Sequence, residues 1–373
     1  MNPSEHMGPL VVLFAAGTAS GVLLPFPPEA VPGLACTGVA LLAAGTAALL
    51  PRRKTGPAAL LPPLFFLCGL LCALTERLGC TAETPAFLRD LAAAAVVRFR
   101  RAIAETPFPH EGTAPLLQAL LTGDRSGLSR ETVAVFRRSG ASHLLALSGL
   151  HAGILYLCLS KGLSLLGNSP RARRARAILV LAATGFYTIM TGASPSLVRA
   201  FLFILIRETA LLAGRQAEPL RVYALALTVQ LALHPSVIRS VGFQLSYAAM
   251  LGIFLLYPIL EKAYPAAATA GPVSKWTARH DPVRFVWNSA ALSIACQAFT
   301  APVAWLYFKT FPRYFLLTNL LAIPLTTMLV PGALAAVAVH AALPSTAADR
   351  LAADLADRLA EGLQRVLEII AAM

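Results

Sequence analysis

Hydrophobic positions in this chain fall in long unbroken runs, not in the alternation of a half-buried strand or the single stripe of a surface helix. The runs cover about Pro9 to Pro27, Val31 to Leu50, Pro57 to Leu74, His143 to Leu163, Ala177 to Met190, Ser196 to Ala213, Val222 to Leu233, Val241 to Tyr257, Phe285 to Tyr307 and Phe315 to His340. Most approach the roughly twenty residues that a bilayer core requires. They predict an all-α fold, a polytopic transmembrane helix bundle of about ten spans. Two stretches depart from the pattern. Phe87 to Pro109 sets Phe87, Leu91, Ala94, Ala95 and Ile103 against Arg89, Arg98, Arg100 and Arg101, which predicts an amphipathic helix on the membrane surface. After Pro344, Leu351, Leu355, Leu359, Leu363, Val366 and Ile370 recur on one face and predict a second one, docked on the bundle or along its inner surface. The chain so divides into a three-span region (1–80), an extracytoplasmic helical segment (81–142), a seven-span region (143–343) and a C-terminal amphipathic helix (344–373).

Basic residues set the orientation. Arg52 to Lys54, the cluster Arg171, Arg173, Arg174 and Arg176, the pair Arg215 and Arg221, and the loop holding Lys262, Lys275, Arg279 and Arg284 mark cytoplasmic turns. The amino terminus is then cytoplasmic, and Trp305 to Tyr314 form an outer aromatic belt. Met1 to Gly8 contains no Lys or Arg, against a cleaved signal peptide. The segment before His143 is also basic, which orientation does not explain. Its arginines suit either phosphates at the mouth or anionic lipid head groups.

Composition agrees with the patterning: 57% of the 373 residues are hydrophobic and 13% charged. A soluble surface needs roughly a quarter charged residues, so an ordinary globular domain is excluded. Part of the net charge of +13 is the topological demand for cytoplasmic Lys and Arg. Five of six cysteines lie inside apolar runs, and only Cys80 sits near an edge, so no disulfide framework is expected. With no Cys-x-x-Cys and no close His/Asp cluster, no metal or other cofactor is expected. There is no phosphate-binding loop to hydrolyse a nucleotide.

The polar residues inside the apolar runs carry the candidate chemistry. The stretch SGASHLLALSGLHAG (Ser139 to Gly153) holds His143, Ser148 and His151, each of which needs a partner if buried. Ser139 or Ser142 is placed to cap its helix, and Gly149 with Gly153 forms a small-xxx-small face. Ser148 and His151 stand three apart on one face, which suits a packing hydrogen bond or, alternatively, a Ser/His nucleophile. Arg199 costs at least about 3 kcal/mol in a span unless it is paired, snorkels or faces water. Gln244, Ser246 and Asn319 are interhelical glue or pathway residues. Asp124 lies in a loop, GDRS, beside Arg125.

Four blocks in order, GDRS (Gly123 to Ser126) with HLLALSGLH (His143 to His151), TGASPSLVRA (Thr191 to Ala200), GFQLSYAAMLG (Gly242 to Gly252) and NLLAIP (Asn319 to Pro324), resemble the ComEC family. Its members pass single-stranded DNA inward during bacterial natural competence. The resemblance covers Leu116 to Pro331, the family's channel domain. It implies a multi-pass protein of the bacterial plasma (inner) membrane, not an enzyme. His143, Ser148, His151, Arg199, Gln244, Ser246 and Asn319 would line or brace the path, and Asp124 and Arg125 would form a loop motif. The implied partners are single-stranded DNA, the lipid bilayer, a separate DNA receptor, a cytoplasmic helicase-type ATPase and a second copy in a homo-oligomer. The oligonucleotide-binding barrel and metallo-β-lactamase-like nuclease usual in the family have no counterpart in this sequence, so it is not expected to degrade the second strand. Ser240 stands where the family often has an aspartate. An intramembrane serine hydrolase using Ser148 and His151, and a transporter of another anionic solute, are the alternatives.

Overall fold

The computed structural model describes residues 4–49, 61–79, 85–167, 169–264 and 282–373, and these are helical without a strand. Arg52 to Lys54, Cys80, Lys275 and Arg279 lie outside the described residues. Among the described residues three helices are long and apolar enough to cross a membrane: Val241–Lys262, Pro282–Phe308 and Phe315–Ala342. Gly8–Leu23, Ala30–Leu42, Gly149–Leu165 and Pro219–Leu233 are apolar but shorter.

The chain forms two units. The first comprises Met1–Pro85 and Leu202–Tyr247. Its frame is α1 (Ser4–Leu23), α2 (Ala30–Leu49) and α3 (Leu61–Arg77). The helices α1 and α3 touch backbone to backbone, because a Cβ on Gly17 would lie 1.9 Å from the Phe66 carbonyl oxygen and one on Gly69 2.0 Å from that of Phe14. Small residues buy this approach where apolar side chains have no hydrophobic drive to associate. The two helices run parallel, and Arg77 at the end of α3 donates to the Val22 and Leu24 carbonyls at the end of α1, at 3.1 and 2.7 Å. Glu76 accepts the Ser236 N–H at 2.7 Å and its hydroxyl at 2.8 Å. Ser236 lies in the turn between α11 (Pro219–Leu233) and α12 (Val241–Leu255).

The second unit comprises Ala86–Phe201 and Ala248–Met373. It contains α4 (Ala86–Glu105), α5 (Thr113–Thr122), α6 (Arg130–Arg138), α7 (Ser142–Leu145), α8 (Gly149–Gly162), α9 (Pro170–Met190) and the start of α10 (Pro195–Leu212). After the end of α12 come α13 (Tyr257–Lys262), α14 (Pro282–Phe308), α15 (Phe315–Ala342) and α16 (Ala347–Ala372). Its core gathers Leu116, Leu117 and Leu120 of α5, Phe136 of α6, Leu144 and Leu145 of α7, Leu329 and Ala333 of α15, and Leu363 and Leu367 of α16.

Two amphipathic readings need correction. The stripe on α4 is split: Phe87 and Leu91 are 69% and 53% exposed, whereas Ile103 is fully buried in the core. The helix lies against protein at its far end and is uncovered at its start. On α16 the bundle-facing residues are Ala353, Ala356, Ala360, Leu363, Leu367 and Ile370, with Leu351 and Leu355 exposed. The helix is docked, as one of the two expectations had it, but on a face rotated toward alanines, which permit closer backbone approach than leucines. It runs antiparallel along α15, from the His340–Asp349 contact (3.0 Å) at one end to the Tyr314 hydroxyl on the Met373 carbonyl (3.1 Å) at the other.

Candidate functional site: a broken helix where the motifs meet

The stretch read as one span from His143 onward is interrupted. The four-residue α7 ends at Leu145, Ala146 and Ser148 have extended backbone, and α8 begins at Gly149. The reason is local chemistry at Ser148. Its hydroxyl accepts the Leu150 N–H at 3.3 Å, and its own N–H donates to His151 Nδ1 at 3.3 Å, a capping box in which histidine takes the usual Glu/Gln position. Ser148, not Ser139 or Ser142, is the helix cap. The Ser139 hydroxyl bonds back to the Phe136 carbonyl, and α7 starts without a side-chain cap.

Two of the four motif blocks converge on this break. From GDRS, Gly123 takes a left-handed conformation (φ 76°) and leaves room for Leu147, whose Cδ1 would stand 2.8 Å from a Cβ there. Arg125 donates through Nε and Nη2 to the Leu145 carbonyl, at 3.2 and 2.9 Å. That carbonyl is one of the unpaired acceptors left at the end of α7. Asp124 instead pairs with Arg100 at 2.8 Å, and Arg100 Nε donates to the Thr122 hydroxyl at 3.1 Å. The Ser126 N–H bonded to Asp124, with the Ser126 hydroxyl and Arg100, holds that carboxyl below the usual carboxylate range. From TGASPSLVRA, the Ser194 hydroxyl reaches the Leu147 carbonyl at 3.5 Å, and Arg199 is 7% exposed with its guanidinium over Gly149. Ahead of α7, the Ser139 carbonyl accepts the hydroxyl of Thr318, the residue before NLLAIP, at 2.5 Å.

His151 is 1% exposed. Because Nδ1 accepts the Ser148 N–H, the neutral ring carries its proton on Nε2. Nε2 has no partner among the described residues. The ring borders a cavity of about 180 Å³ with Leu121, Leu155, Tyr187 and Val330 among its apolar walls. The Ser148 hydroxyl is 3.2 Å from Nδ1. That distance would allow a Ser/His nucleophile, but Nδ1 is shared with the Ser148 N–H and among the described residues no carboxylate orients Nε2, so the contact serves as a cap.

The remaining candidates are dispersed. His143 is exposed and its Nδ1 lies 3.2 Å from the Gly140 carbonyl. Asn319 on α15 keeps a buried Oδ1 without a hydrogen-bond partner among the described residues. Gln244 and Ser246 belong to the other unit, where Gln244 Nε2 donates to the Ile238 carbonyl at 2.9 Å and steadies the turn before α12. Gly149 makes the close approach expected of it, toward Arg199 and Ala200, while Gly153 meets nothing within 4 Å. Sequence reasoning missed the pairing of Arg100 with Asp124 and missed Tyr187, whose hydroxyl donates to the Leu121 carbonyl at 2.9 Å. It also missed Asp357, which is 1% exposed and accepts from the Thr113 hydroxyl at 2.6 Å and His110 Nδ1 at 2.5 Å. Among the described residues no group of three His, Cys, Asp or Glu is placed to hold a metal.

What the site can do follows from its charge. The N-terminus of α8 carries a partial positive charge, and the buried Arg199 guanidinium adds a full one beside it. This end of the unit favours anionic groups.

Comparison with known proteins gives a consistent picture. The competence protein family profile matches residues 120–373. ComE operon protein 3 of Bacillus subtilis is 28% identical over 228 residues, 60% of this chain and 26% of that protein. The uncharacterized protein YcaI of Escherichia coli is 28% identical over 245 residues, 64% of this chain and 30% of that protein. Recombination protein 2 of Haemophilus influenzae is 24% identical over 269 residues, 68% of this chain and 31% of that protein. The matched part thus spans about a quarter to a third of these relatives' length. No solved structure matches.

Proposed function

The chain belongs to the competence protein family, and from that premise we propose that it forms the inner-membrane passage for single-stranded DNA in natural transformation. It is a multi-pass membrane protein with about ten spans and a cytoplasmic amino terminus. The observation that carries the reading is the broken helix. Unwound backbone at membrane depth is tolerated only where protein buries it or water reaches it, and here it meets two of the four motif blocks and a buried arginine. A strand carries one phosphate charge per nucleotide, so its path must be hydrated and lined by polar groups. Ser148, His151 and Arg199 supply them beside the break, with His143, Asn319, Gln244 and Ser246 bracing or lining the path elsewhere. Arg125 fixes the break, and Asp124 holds the GDRS loop through Arg100 and the Ser126 N–H. Chemistry on the DNA is not part of this role. The driving force comes from a separate helicase-type ATPase, and delivery from a separate DNA receptor, with homo-oligomer formation a further element of the proposal.

The test is uptake of fluorescently labelled DNA by competent cells carrying a gene deletion, the wild-type gene or Arg199→Ala at matched expression. The deletion abolishes internalisation and Arg199→Ala lowers it at least about tenfold, the worth of one charge-assisted hydrogen bond. Undiminished uptake in the deletion refutes the reading.

A further inference from the structure

We propose that Arg125 is a latch on the break between α7 and α8, released when a phosphodiester group of a single-stranded nucleic acid takes its guanidinium. The inference rests on the DNA-passage reading and assigns the backbone phosphate as the group read at this point.

Arg125 is exposed, yet both of its bonding nitrogens are spent on one neutral acceptor, the Leu145 carbonyl, at 3.2 and 2.9 Å. Among the described residues no carboxylate lies within ion-pair distance of it. Its neighbour Asp124 is already committed to Arg100 and to the Ser126 N–H. The guanidinium therefore holds its full charge against an uncharged partner. A phosphodiester offers two anionic oxygens that match the guanidinium fork, and it adds the attraction of opposite charges and a bidentate geometry that one neutral carbonyl oxygen lacks. An incoming phosphate outcompetes the carbonyl.

Release has a mechanical consequence. The Leu145 carbonyl belongs to a helix of only four residues, which cannot satisfy it internally. Once Arg125 leaves, the link from Ala146 to Ser148 is tied by the Ser194–Leu147 contact at 3.5 Å, the outer limit of a hydrogen bond, and by Leu147 packing on Gly123. The cap of α8, with Ser148 and His151, is then free to move. Strand arrival and opening of the break are so coupled through one side chain, without reading base sequence.

The test is hydrogen–deuterium exchange of the full chain in maltoside micelles, followed on peptides covering residues 144–151. The arms are no addition, an oligothymidylate, the same oligomer with an uncharged methylphosphonate backbone, and phosphatidylglycerol. Anisotropy of a labelled oligothymidylate reports binding in parallel. With Arg125 present, oligothymidylate speeds exchange in this segment about tenfold and the methylphosphonate oligomer leaves it unchanged. Arg125→Gln exchanges at the fast rate with or without DNA. Arg125→Lys, which keeps the charge but not the fork, falls between the two and serves if the glutamine variant does not fold. Slow exchange in folded Arg125→Gln overturns the latch. Binding of the oligomer without faster exchange overturns the coupling while leaving DNA passage standing. Absence of binding removes the DNA reading itself and the proposal with it. Acceleration by phosphatidylglycerol and not by oligothymidylate also overturns the proposal and assigns the latch to lipid.

Discussion

Substituting Gly149 with alanine separates stability from function at the broken helix. A Cβ on Gly149 would stand 2.7 Å from Arg199 Nη2 and 3.6 Å from the Ala200 Cβ. The first contact is about 0.7 Å inside a comfortable carbon–nitrogen separation, so the guanidinium must move by at least that much. Backbone conformation raises no objection, since Gly149 is the first residue of α8 and has no positive φ. Replacing glycine by alanine in a helix gains up to about 1 kcal/mol, which offsets much of the overlap because the atom displaced is the end of a flexible side chain. Thermal stability of the purified protein in detergent should therefore change little. Uptake should not escape so lightly. If Arg199 contacts phosphate, a displacement of this size forfeits a charge-assisted hydrogen bond worth about 1.5–3 kcal/mol, or about ten- to a hundredfold in rate. Labelled-DNA uptake at matched expression is the assay, with Gly153→Ala, where a Cβ meets nothing within 4 Å, as control. Normal uptake in Gly149→Ala with an unchanged melting temperature would show that the position of Arg199 does not matter, and the reasoning would fail.

Other expectations follow from the same geometry. Gly17→Ala places a Cβ 1.9 Å from the Phe66 carbonyl oxygen and should cost the first unit about 3 kcal/mol or more, read as a lowered melting temperature, whereas Gly33→Ala, with nothing nearby, should be neutral or slightly stabilising. Tyr187→Phe removes the bond to the Leu121 carbonyl and should cost about 1 kcal/mol in the second unit. The docking of α16 should depend on pH through His110 and Asp357. The bond to Asp357 raises the His110 pKa. Burial pushes Asp357 up, but the bonds from Thr113 and His110 outweigh it and leave the carboxyl low, with Glu361 and Arg365 the other charges facing the pair. A raised histidine contributes below its ordinary value of about 6.5 and is lost as pH climbs through its folded value; a lowered carboxylate contributes above about 3.9 and is lost as pH falls through its folded value. Stability should peak between those limits, and His110→Gln should flatten the alkaline side of a melting curve against pH.

How much the sequence disclosed depended on the kind of signal. Uniform apolar length was plain: α14 and α15 run from Pro282 to Phe308 and from Phe315 to Ala342, within a few residues of the expected spans. The helix interruption was hidden because HLLALSGLH continues an apolar run and holds no proline. Its mark was Ser148 with a polar residue three positions on, a capping box that is easily passed over when histidine replaces glutamate. The docking face of α16 was misread for a related reason. Leucines stand out in a pattern, but tight helix pairing selects Ala353, Ala356 and Ala360. Pairings such as Asp357 with His110 and Arg125 with Leu145 join distant or unremarkable positions, and only three-dimensional packing reveals them. The ordered motif blocks pointed to the family that the comparisons show, though not to the bonds of Arg100 or Tyr187.

The central claim is that a DNA strand passes beside the break between α7 and α8. Its most direct test is photocrosslinking during uptake, with benzophenone introduced in place of Leu147 in the break or of Leu179, an exposed residue on α9. The account predicts an adduct with the incoming labelled strand from position 147 and none from 179. Adducts from both positions alike, or from neither while uptake proceeds, would contradict it.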